Sequence, residues 1–329
     1  MINDLVSVII SSYNSSPFII ETLDSVAGQT WKDLELIITD DCSSDGTDEL
    51  CDRWLSKHGQ RFVSAKLLTA IENGGVSANA NRGLHAAQGA WIKFLAADDI
   101  LKASCIEDNM AWISLYPEVK VLFSRIEIFR NTFEQSNFIN TVPGVPYDNK
   151  GILSVNRSAG SQYKMLLLGD RIHFSPSLFI AREILLSIGG FDERFRLLED
   201  YPLWLNLTKN GHKLHLMDKV TVSYRQHSAA INNTTTTFIV NPNYFKTEDF
   251  RRLYIYPFLP VDLRLDQKYR WFVVQVFRND FFNKNNKVNK FLMSLLTVYL
   301  NPFRYLLWLR KQMNKSLLNN ELYFYNSYS

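Results

Sequence analysis

The chain has 329 residues and a mass of 38.2 kDa, which suits one large domain or two domains of ordinary size. Hydrophobic residues make up 46% and charged residues 21%, so we expect a sizeable buried core and exclude general disorder. The net charge of +3 is unevenly distributed, because residues 241–329 carry 14 basic and 6 acidic side chains and the rest has a net charge of −5. We therefore predict an acidic body with a basic tail.

The cysteine content and the apolar segments indicate the cellular compartment of the protein. Cys42, Cys51 and Cys105 are too few for a disulfide framework, and they lack the C-x-x-C spacing of metal and redox sites. The amino terminus has no basic region followed by a long apolar run, so we predict no signal peptide. A clean stretch of about 20 apolar residues, the length of a membrane-spanning helix, is also missing. We expect a cytoplasmic protein.

Short apolar runs alternate with amphipathic stretches through the first hundred residues. The predicted strands are Val6–Ile10, Leu34–Thr39, Val63–Leu68 and Trp91–Leu95. The helical patterns between them are centred on Ile19–Val26, Asp48–Lys57 and Gly74–Ala87. Strands separated by helices of this length form β-α-β units, which predicts an α/β fold with a mostly parallel sheet flanked by helices.

Polar clusters follow three of these strands, at Ser11–Asn14, Asp40–Asp45 and Asp98–Asp99. Ligands of parallel sheets bind beyond the carboxyl ends of the strands, where these clusters are expected to lie. Carboxylates gathered at one site repel one another unless a cation lies among them. Oxygen ligands suit Mg²⁺ or Mn²⁺, which usually also hold phosphate oxygens of a substrate. The sequence therefore predicts a phosphate-bearing ligand.

Two common phosphate-binding motifs are missing from the sequence. There is no G-x-x-x-x-G-K-[ST] loop, which disfavours nucleoside triphosphate hydrolysis of that type. The first strand ends in Ser11–Ser16 and not in G-x-G-x-x-G, so dinucleotide binding is also disfavoured.

The pattern is less regular after residue 120. The polar segment 130–162 is long enough to form an active-site lid. Glu199 and Asp200 precede a helical pattern that stops at Asn210-Gly211, a typical helix end. Further strands are predicted at Val121–Phe129 and Leu214–Tyr224, and Ser177–Ile180 is a short apolar segment.

The low-complexity segment Asn232–Thr237 predicts a boundary between two domains, 1–235 and 236–329. We predict that the second domain is mainly helical, basic and rich in aromatic residues. Its apolar stretch Phe291–Arg310 leaves three interpretations open: a core helix pair, an amphipathic segment on an anionic membrane surface, or a protein-binding helix. Nucleic acid is not an expected partner, because the body is acidic and carries no nucleic-acid motif.

The polar strand ends belong to a longer series of motifs. In chain order these are Val6–Asn14, Gln29-Thr30, Asp40–Thr47, Asn73–Ala78, Asn81-Arg82-Gly83, Gly89, Phe94–Asp99, Gly189–Asp192, Glu199-Asp200-Tyr201 and Tyr224–His227. Over roughly the first 230 residues this pattern resembles the family 2 glycosyltransferases. The resemblance implies a GT-A fold, a nucleotide-diphosphate sugar as donor, Mn²⁺ or Mg²⁺ as cofactor, and inversion at the anomeric carbon.

The resemblance also implies residue roles. Asp41 would accept a hydrogen bond from the uracil N–H, while Ser11 and Tyr13 line the base and ribose. The implied donor-binding residues are Ser11, Tyr13, Asp41, Arg82, Asp98 and Arg225. The implied metal ligands are Asp99, Asp98 and His227. Asp200 would be the general base that deprotonates the acceptor hydroxyl, with Glu199 as the alternative base.

The chain departs from the family pattern at two positions. Many members have an acid where Ala96 stands, so metal binding here would use fewer carboxylates. Many also have an arginine where Ala80 stands, and Arg82 is either its replacement or a solvent-facing residue.

We expect an inverting enzyme that transfers a hexose or N-acetylhexosamine from a UDP-sugar to a glycan acceptor. The acceptor would be lipid-diphosphate-linked, in O-antigen or capsule biosynthesis, with the protein cytoplasmic or peripheral on the inner face of the cell membrane. Two alternatives stay open: a non-catalytic carbohydrate- or nucleotide-binding module on the same scaffold, and a sugar nucleotidyltransferase. The second would need a basic triphosphate-binding loop, which Ser11–Ser16 does not supply.

Overall fold

The computed structural model describes residues 5–144, 151–227, 237–313 and 322. The chain divides into two compact units. The first comprises residues 1–163 and 171–226, and the second comprises residues 164–170 and 227–329. The predicted boundary at residue 235, and most of the segment Asn232–Thr237 that suggested it, lie outside the described residues.

The first unit is built on one nine-stranded sheet, with strand order β3-β2-β1-β4-β8-β6-β9-β5 and β7 paired to β6. The strands are β1 (Val6–Ser12), β2 (Leu34–Asp40), β3 (Ser64–Thr69), β4 (Trp91–Ala96), β5 (Ile100–Leu101), β6 (Val121–Arg130), β7 (Phe138–Val142), β8 (Phe179–Ala181) and β9 (Leu214–Gln226). Strands β1 to β4 run parallel, β6 is parallel to β9, and β8 is antiparallel to both β4 and β6. The mixed, mostly parallel sheet predicted from the alternating pattern is confirmed.

Apolar runs form the middle of the sheet because both faces are covered by helices. Every residue of β2 is buried, and six of the seven residues of β1 are buried. A strand buried on both faces shows a continuous apolar run and not an alternating pattern. The helices of this part of the chain are α1 (Ile19–Ala27), α2 (Thr47–His58), α3 (Val76–Ala86), α4 (Cys105–Leu115), α5 (Ala159–Leu166), α6 (Arg182–Ser187) and α7 (Asp200–Lys209).

The segment predicted as a polar lid is more ordered than its composition suggests. Residues 138–142 form β7, which pairs antiparallel with β6, and residues 159–166 form α5. Residues 145–150 lie outside the described residues. Phe138 packs edge-on against Phe129 across the strand pair, with ring centroids 5.6 Å apart, and this contact stabilises the hairpin.

The second unit is helical in its described part, which agrees with the prediction for the tail. Its helices are α8 (Glu248–Phe250), α9 (Val261–Val276), α10 (Asp280–Asn283), α11 (Lys287–Ser294) and α12 (Pro302–Met313). Helix α12 packs against α9 and places Leu307 in the core of this unit. Among the described helices, none combines the length and hydropathy that crossing a bilayer requires.

Candidate active site

The sheet register aligns the carboxyl ends of three neighbouring strands. Ser11 on β1 pairs with Thr39 on β2 and with Ala96 on β4. The residues two positions beyond these three are Tyr13, Asp41 and Asp98. Because adjacent strands lie about 4.8 Å apart, the backbones at Asp41 and Asp98 start about 10 Å from each other. The structure therefore brings Ser11, Tyr13, Asp41 and Asp98 to one edge of the sheet, with Tyr13 half exposed.

Asp41 organises the loop that begins α3. Its carboxylate is 2% exposed and accepts hydrogen bonds from the backbone N–H of Gly74 at 3.0 Å and of Gly75 at 2.7 Å. Gly75 has φ +91°, a conformation that L side chains rarely adopt, so the second of these bonds depends on glycine. A carboxylate holds about four acceptor sites, so these contacts leave capacity for a further donor.

Arg82 lies beside Asp41 and is only partly exposed. Its Nη2 is 3.6 Å from Asp41 Oδ1, and its Nη1 donates to Asn79 Oδ1 at 2.6 Å. Asn79 in turn donates to the carbonyl oxygens of Ser12 and Thr39, where β1 and β2 end. Arg82 thus contacts both Asp41 and the residue that bridges the ends of β1 and β2, and its role in donor binding stays a prediction.

Asp40 fixes the neighbouring turn. Its carboxylate accepts hydrogen bonds from the hydroxyls of Ser12 at 2.9 Å and Ser43 at 2.6 Å, and from the Ser43 N–H at 2.8 Å. The paired acids thus differ: Asp40 closes the turn within the loop, whereas Asp41 faces α3.

Asp99 is fully buried at the end of β4. Its Oδ1 accepts the backbone N–H of Arg225 at 2.8 Å, and its Oδ2 has no hydrogen-bond partner among the described residues. Burial and the negative charge of Asp98 raise the pKa of Asp99 well above its usual value, although the positive charges of Arg225 and Lys93 oppose that shift. Asp98 itself is partly exposed.

The divalent cation that the resemblance implies can be tested against these residues. The described chain contains no group of three or more His, Cys, Asp or Glu side chains arranged to hold a metal ion. Asp99 nevertheless presents a buried carboxylate oxygen without a partner, next to the partly exposed Asp98. This donor set fits a cation that takes its remaining ligands from substrate phosphates and water, which is the usual arrangement for Mg²⁺.

Arg225 is 3% exposed, and its polar atoms are all directed at protein groups. Nε donates to the Asp98 carbonyl at 2.8 Å and Nη1 to the Asn131 carbonyl at 2.7 Å, while Nη2 pairs with Glu21 Oε2 at 2.5 Å. Together with the backbone bond to Asp99, these contacts tie β9 to the acidic turn, to the end of β6 and to α1.

Two aromatic rings enclose the Arg225 guanidinium. It lies 4.8 Å from the ring centroid of Phe18 and 4.1 Å from that of Phe133. Cation–π contacts of this kind stabilise a charge that has been removed from water. Sequence reasoning missed Phe18, Glu21 and Phe133, because no local pattern connects positions so far apart along the chain.

The segment before Asp200 is anchored to the loop that binds Asp41. The Arg196 carbonyl accepts the Val76 N–H at 2.9 Å, and Arg196 Nη2 donates to the backbone and side chain of Asn73 at 2.6 and 2.9 Å. Asp200 begins α7 four residues later. The residue four positions before Asp200 is thus hydrogen-bonded to the loop that Asp41 also binds.

Glu199 and Asp200 are adjacent acids at the start of α7. Burial and the charge of Asp200 raise the pKa of Glu199 to about 7. Asp200 lies in the first turn of α7, where its Oδ1 accepts the Tyr201 N–H at 2.7 Å and the helix dipole favours a negative charge. The Glu199 carboxyl is therefore largely protonated below neutral pH.

His227 directly follows β9 and belongs to the second unit. Its assignment as a metal ligand stays a prediction, as do the roles assigned by resemblance to the other site residues.

A scan against protein-family models matches residues 7–182 to glycosyl transferase family 2, which is more than half of the chain. The chain belongs to this family. The match begins in β1 and ends at the start of α6, so it includes the strand ends that carry Asp41, Asp98 and Asp99. As a family 2 member the protein is an enzyme, a glycosyltransferase.

Relatives of this glycosyltransferase include named enzymes. Glycosyltransferase GlyG of Streptococcus pneumoniae is 29% identical over 118 residues, which cover 36% of each chain, so the chain spans about a third of that relative's length. UDP-Glc:alpha-D-GlcNAc-diphosphoundecaprenol beta-1,3-glucosyltransferase WfaP of Escherichia coli is 26% identical over 238 residues, covering 70% of this chain and 80% of WfaP.

A solved structure gives the fold. The crystal structure of residues 1–349 of Staphylococcus aureus TarS in complex with UDP-GlcNAc matches with a TM-score of 0.58 at 17% identity. The match covers 98% of this chain and 89% of the TarS chain. The GT-A fold expected from the sequence is thereby confirmed.

Proposed function

We propose that this family 2 enzyme transfers a hexose or N-acetylhexosamine, with inversion, from a UDP-sugar to a hydroxyl of a lipid-diphosphate-linked glycan in bacterial surface polysaccharide synthesis. The observation that carries the proposal is the alignment of Tyr13, Asp41 and Asp98 at one sheet edge. Arg196, four residues before Asp200, is bonded to the loop that begins α3, which supports a place for Asp200 near that edge.

In the proposed donor complex, Tyr13 and Ser11 line the base and ribose, while Asp41 accepts the uracil N–H with Arg82 next to it. Asp98 and Asp99 face the diphosphate. A divalent cation bound there would neutralise the negative charge that develops on the departing diphosphate.

Asp200 is the proposed general base. A sugar hydroxyl is a weak nucleophile, so a carboxylate within hydrogen-bond reach raises its reactivity by removing the proton as the new glycosidic bond forms. The bond between the anomeric carbon and the β-phosphate oxygen breaks in the same step, and attack from the opposite face inverts the configuration. The helix dipole at α7 favours the ionised form of Asp200 that this role needs.

We reassign Arg225 from donor binding to positioning. Its guanidinium hydrogen bonds end on Asp98, Asn131 and Glu21 and not in an open cleft. In this role it holds the Asp98-Asp99 turn in place while the carboxylates face the donor.

The proposed acceptor rests on two relatives. WfaP is named for a donor, UDP-Glc, and a diphosphoundecaprenol-linked acceptor, and the TarS structure contains UDP-GlcNAc. An acceptor with a lipid carrier would place the reaction at the cytoplasmic face of a membrane, as O-antigen or capsule synthesis requires. We therefore propose a cytoplasmic, peripherally membrane-bound enzyme.

The donor assignment is tested by measuring nucleotide release from UDP-glucose, UDP-galactose, UDP-GlcNAc, UDP-GalNAc and GDP-mannose with Mn²⁺ and a lipid-diphosphate-linked GlcNAc acceptor. We expect acceptor-dependent release of UDP from at least one UDP-sugar. Turnover of GDP-mannose alone would contradict the uracil role of Asp41. Tight UDP binding without turnover of any donor would favour the binding-module alternative.

If Asp99 is a metal ligand, the Asp99→Asn variant should lose the increase in UDP affinity that Mn²⁺ causes. We expect UDP to bind wild-type protein at least about 10-fold more tightly in Mn²⁺ than in EDTA, and this difference to vanish in the variant. Calorimetric titration of UDP in both buffers measures it. The control is Asp52→Asn, an exposed acid on α2. A manganese effect that survives in Asp99→Asn would contradict the assignment.

A further inference from the structure

We propose that Arg196 is a positioning residue, which ties the segment before Asp200 to the loop Asn73–Gly75 and thereby couples nucleotide binding to the placement of the acceptor base. The proposal rests on the proposed function, because it takes Asp41 as a nucleotide contact and Asp200 as the base. In this role Arg196 touches neither substrate. It acts through the contact between two segments that lie more than a hundred residues apart in the sequence.

The two segments meet at Gly75. The N–H of this glycine donates to the Asp41 carboxylate at 2.7 Å. A Cβ at the same position would lie 2.8 Å from both the Cβ and the carbonyl oxygen of Arg196, which is closer than Cβ atoms approach in real structures. The backbone of Arg196 therefore passes directly against the glycine. One residue of the loop thus contacts both Asp41 and Arg196.

Hydrogen bonds on both sides of this glycine hold the contact. Before it, Arg196 Nη2 donates to the carbonyl oxygen of Asn73 at 2.6 Å and to its side-chain oxygen at 2.9 Å. After it, the Val76 N–H donates to the Arg196 carbonyl at 2.9 Å. The Ser77 hydroxyl donates to the Phe195 carbonyl at 2.8 Å. The last two donors belong to the first turn of α3, whose body packs against β1 and β2, so the segment is bonded to a fixed part of the unit.

Only a short stretch of chain separates Arg196 from Asp200. Four residues span at most about 14 Å when fully extended. Here a turn, in which the Leu198 N–H donates to the Phe195 carbonyl at 3.4 Å, shortens the stretch. The body of α7 is held by the core, where Trp204 is buried, but the first N–H groups of a helix have no partner within the helix. The start of α7, where Asp200 lies, therefore depends on the segment that Arg196 ties down.

The exposure of Arg196 separates positioning from a purely structural role. Its side chain lies at the surface, and substitutions of surface side chains usually change the unfolding free energy little. A general base, in contrast, acts only within hydrogen-bond reach of the hydroxyl, and a displacement of about 1 Å can lower the rate by about 100-fold. Loss of the Arg196 side chain should therefore affect the rate of transfer more than the stability of the protein.

The test compares Arg196→Ala with Arg194→Ala. Both variants lose an exposed arginine of the same segment, but Arg194 donates to Asp192 within its own turn, at 2.9 and 2.6 Å. In Arg196→Ala we expect kcat for acceptor-dependent UDP release to fall by about 10-fold or more, with unchanged UDP affinity in Mn²⁺ by calorimetric titration. Arg196→Lys still donates to the Asn73 carbonyl and should recover part of the rate. Equal rates in the two alanine variants, or a loss of UDP affinity that accounts for the fall, would overturn the proposal.

A second measurement needs neither acceptor nor turnover. In hydrogen–deuterium exchange of the full chain, UDP with Mn²⁺ should slow exchange in peptides that cover residues 73–77 and also in those that cover residues 195–201. In Arg196→Ala the protection of residues 195–201 should shrink, while that of residues 73–77 stays. Protection that does not reach residues 195–201 in the wild type, or that is unchanged there in Arg196→Ala, would overturn the proposal. A wild-type protein with the expected exchange pattern but no turnover of any donor would contradict the proposed function alone.

Discussion

Replacing Asp200 with asparagine is expected to lower kcat by about 10²–10⁴-fold, the contribution of a positioned general base. The amide keeps the size of the side chain and can still accept the Tyr201 N–H, so α7 should begin as in the wild type. The KM for the donor should change little, because Asp200 acts on the acceptor hydroxyl. Initial rates of UDP release against donor and acceptor concentration separate the two effects.

Glu199→Gln is the matched control, because it changes the adjacent carboxyl in the same way. We expect its kcat to stay within about tenfold of wild type, since Asp200 keeps its role. A loss as large as that of Asp200→Asn would show that Glu199 is the base and that our assignment within the pair is wrong.

The same control carries a prediction about pH. The pKa of Glu199 is about 7 in the folded protein, above the ordinary value of 4.5, so the folded state binds the extra proton between these values. The unfolding free energy therefore falls as the pH rises through that window. Glu199→Gln should lack this contribution, and its stability relative to wild type should rise from pH 4.5 to pH 7 in urea unfolding. A constant difference would contradict the raised pKa.

The strand ends could be predicted from the sequence because local signals set them. Asp40 and Asp41 follow a buried apolar run, and the register of parallel strands then brings Asp41 and Asp98 to the same edge. The polar residues at the strand ends predicted the position of the candidate site, but they could not distinguish the roles of Asp40 and Asp41. That Asp40 closes the turn on Ser43 while Asp41 binds Gly75 depends on where α3 lies.

The structure also explains a pair of motifs that are far apart in the sequence, Asn81-Arg82-Gly83 and Gly189–Asp192. Asn81 accepts the Phe191 N–H at 2.9 Å and donates to the Phe191 carbonyl at 2.8 Å. Gly190 next to it has φ +74°, and a Cβ there would lie 2.5 Å from Asn81 Oδ1. Two motifs more than a hundred residues apart therefore form one contact, which no spacing rule predicts.

The hairpin within residues 130–144 was missed for a related reason. Its polar composition resembles a loop, and the pairing of β7 depends on the edge that β6 offers. Sheet pairing of this kind is a property of the assembled unit and not of the segment.

Arg225→Ala is expected to lower the unfolding free energy by about 3 kcal/mol or more, because it leaves buried partners of a charged group unpaired. The carbonyls of Asp98 and Asn131 lose their donor, and the rings of Phe18 and Phe133 are left facing a cavity. Urea unfolding of the purified variant measures the loss.

Arg225→Lys separates positioning from donor contact. Lysine keeps the charge, but its single ammonium group cannot reach the carbonyls of Asp98 and Asn131 and the carboxylate of Glu21 together in the geometry of a guanidinium. We expect this variant to fold, to need a higher Mn²⁺ concentration for half-maximal rate, and to lose kcat as the Asp98-Asp99 turn loosens. Glu21→Gln keeps an oxygen that can accept from Nη2 and removes only the charge of the more exposed partner, so we expect a smaller loss of stability than in Arg225→Ala. If Arg225→Ala kept wild-type stability and lost UDP affinity alone, the guanidinium would be a donor ligand, and the positioning role would be wrong.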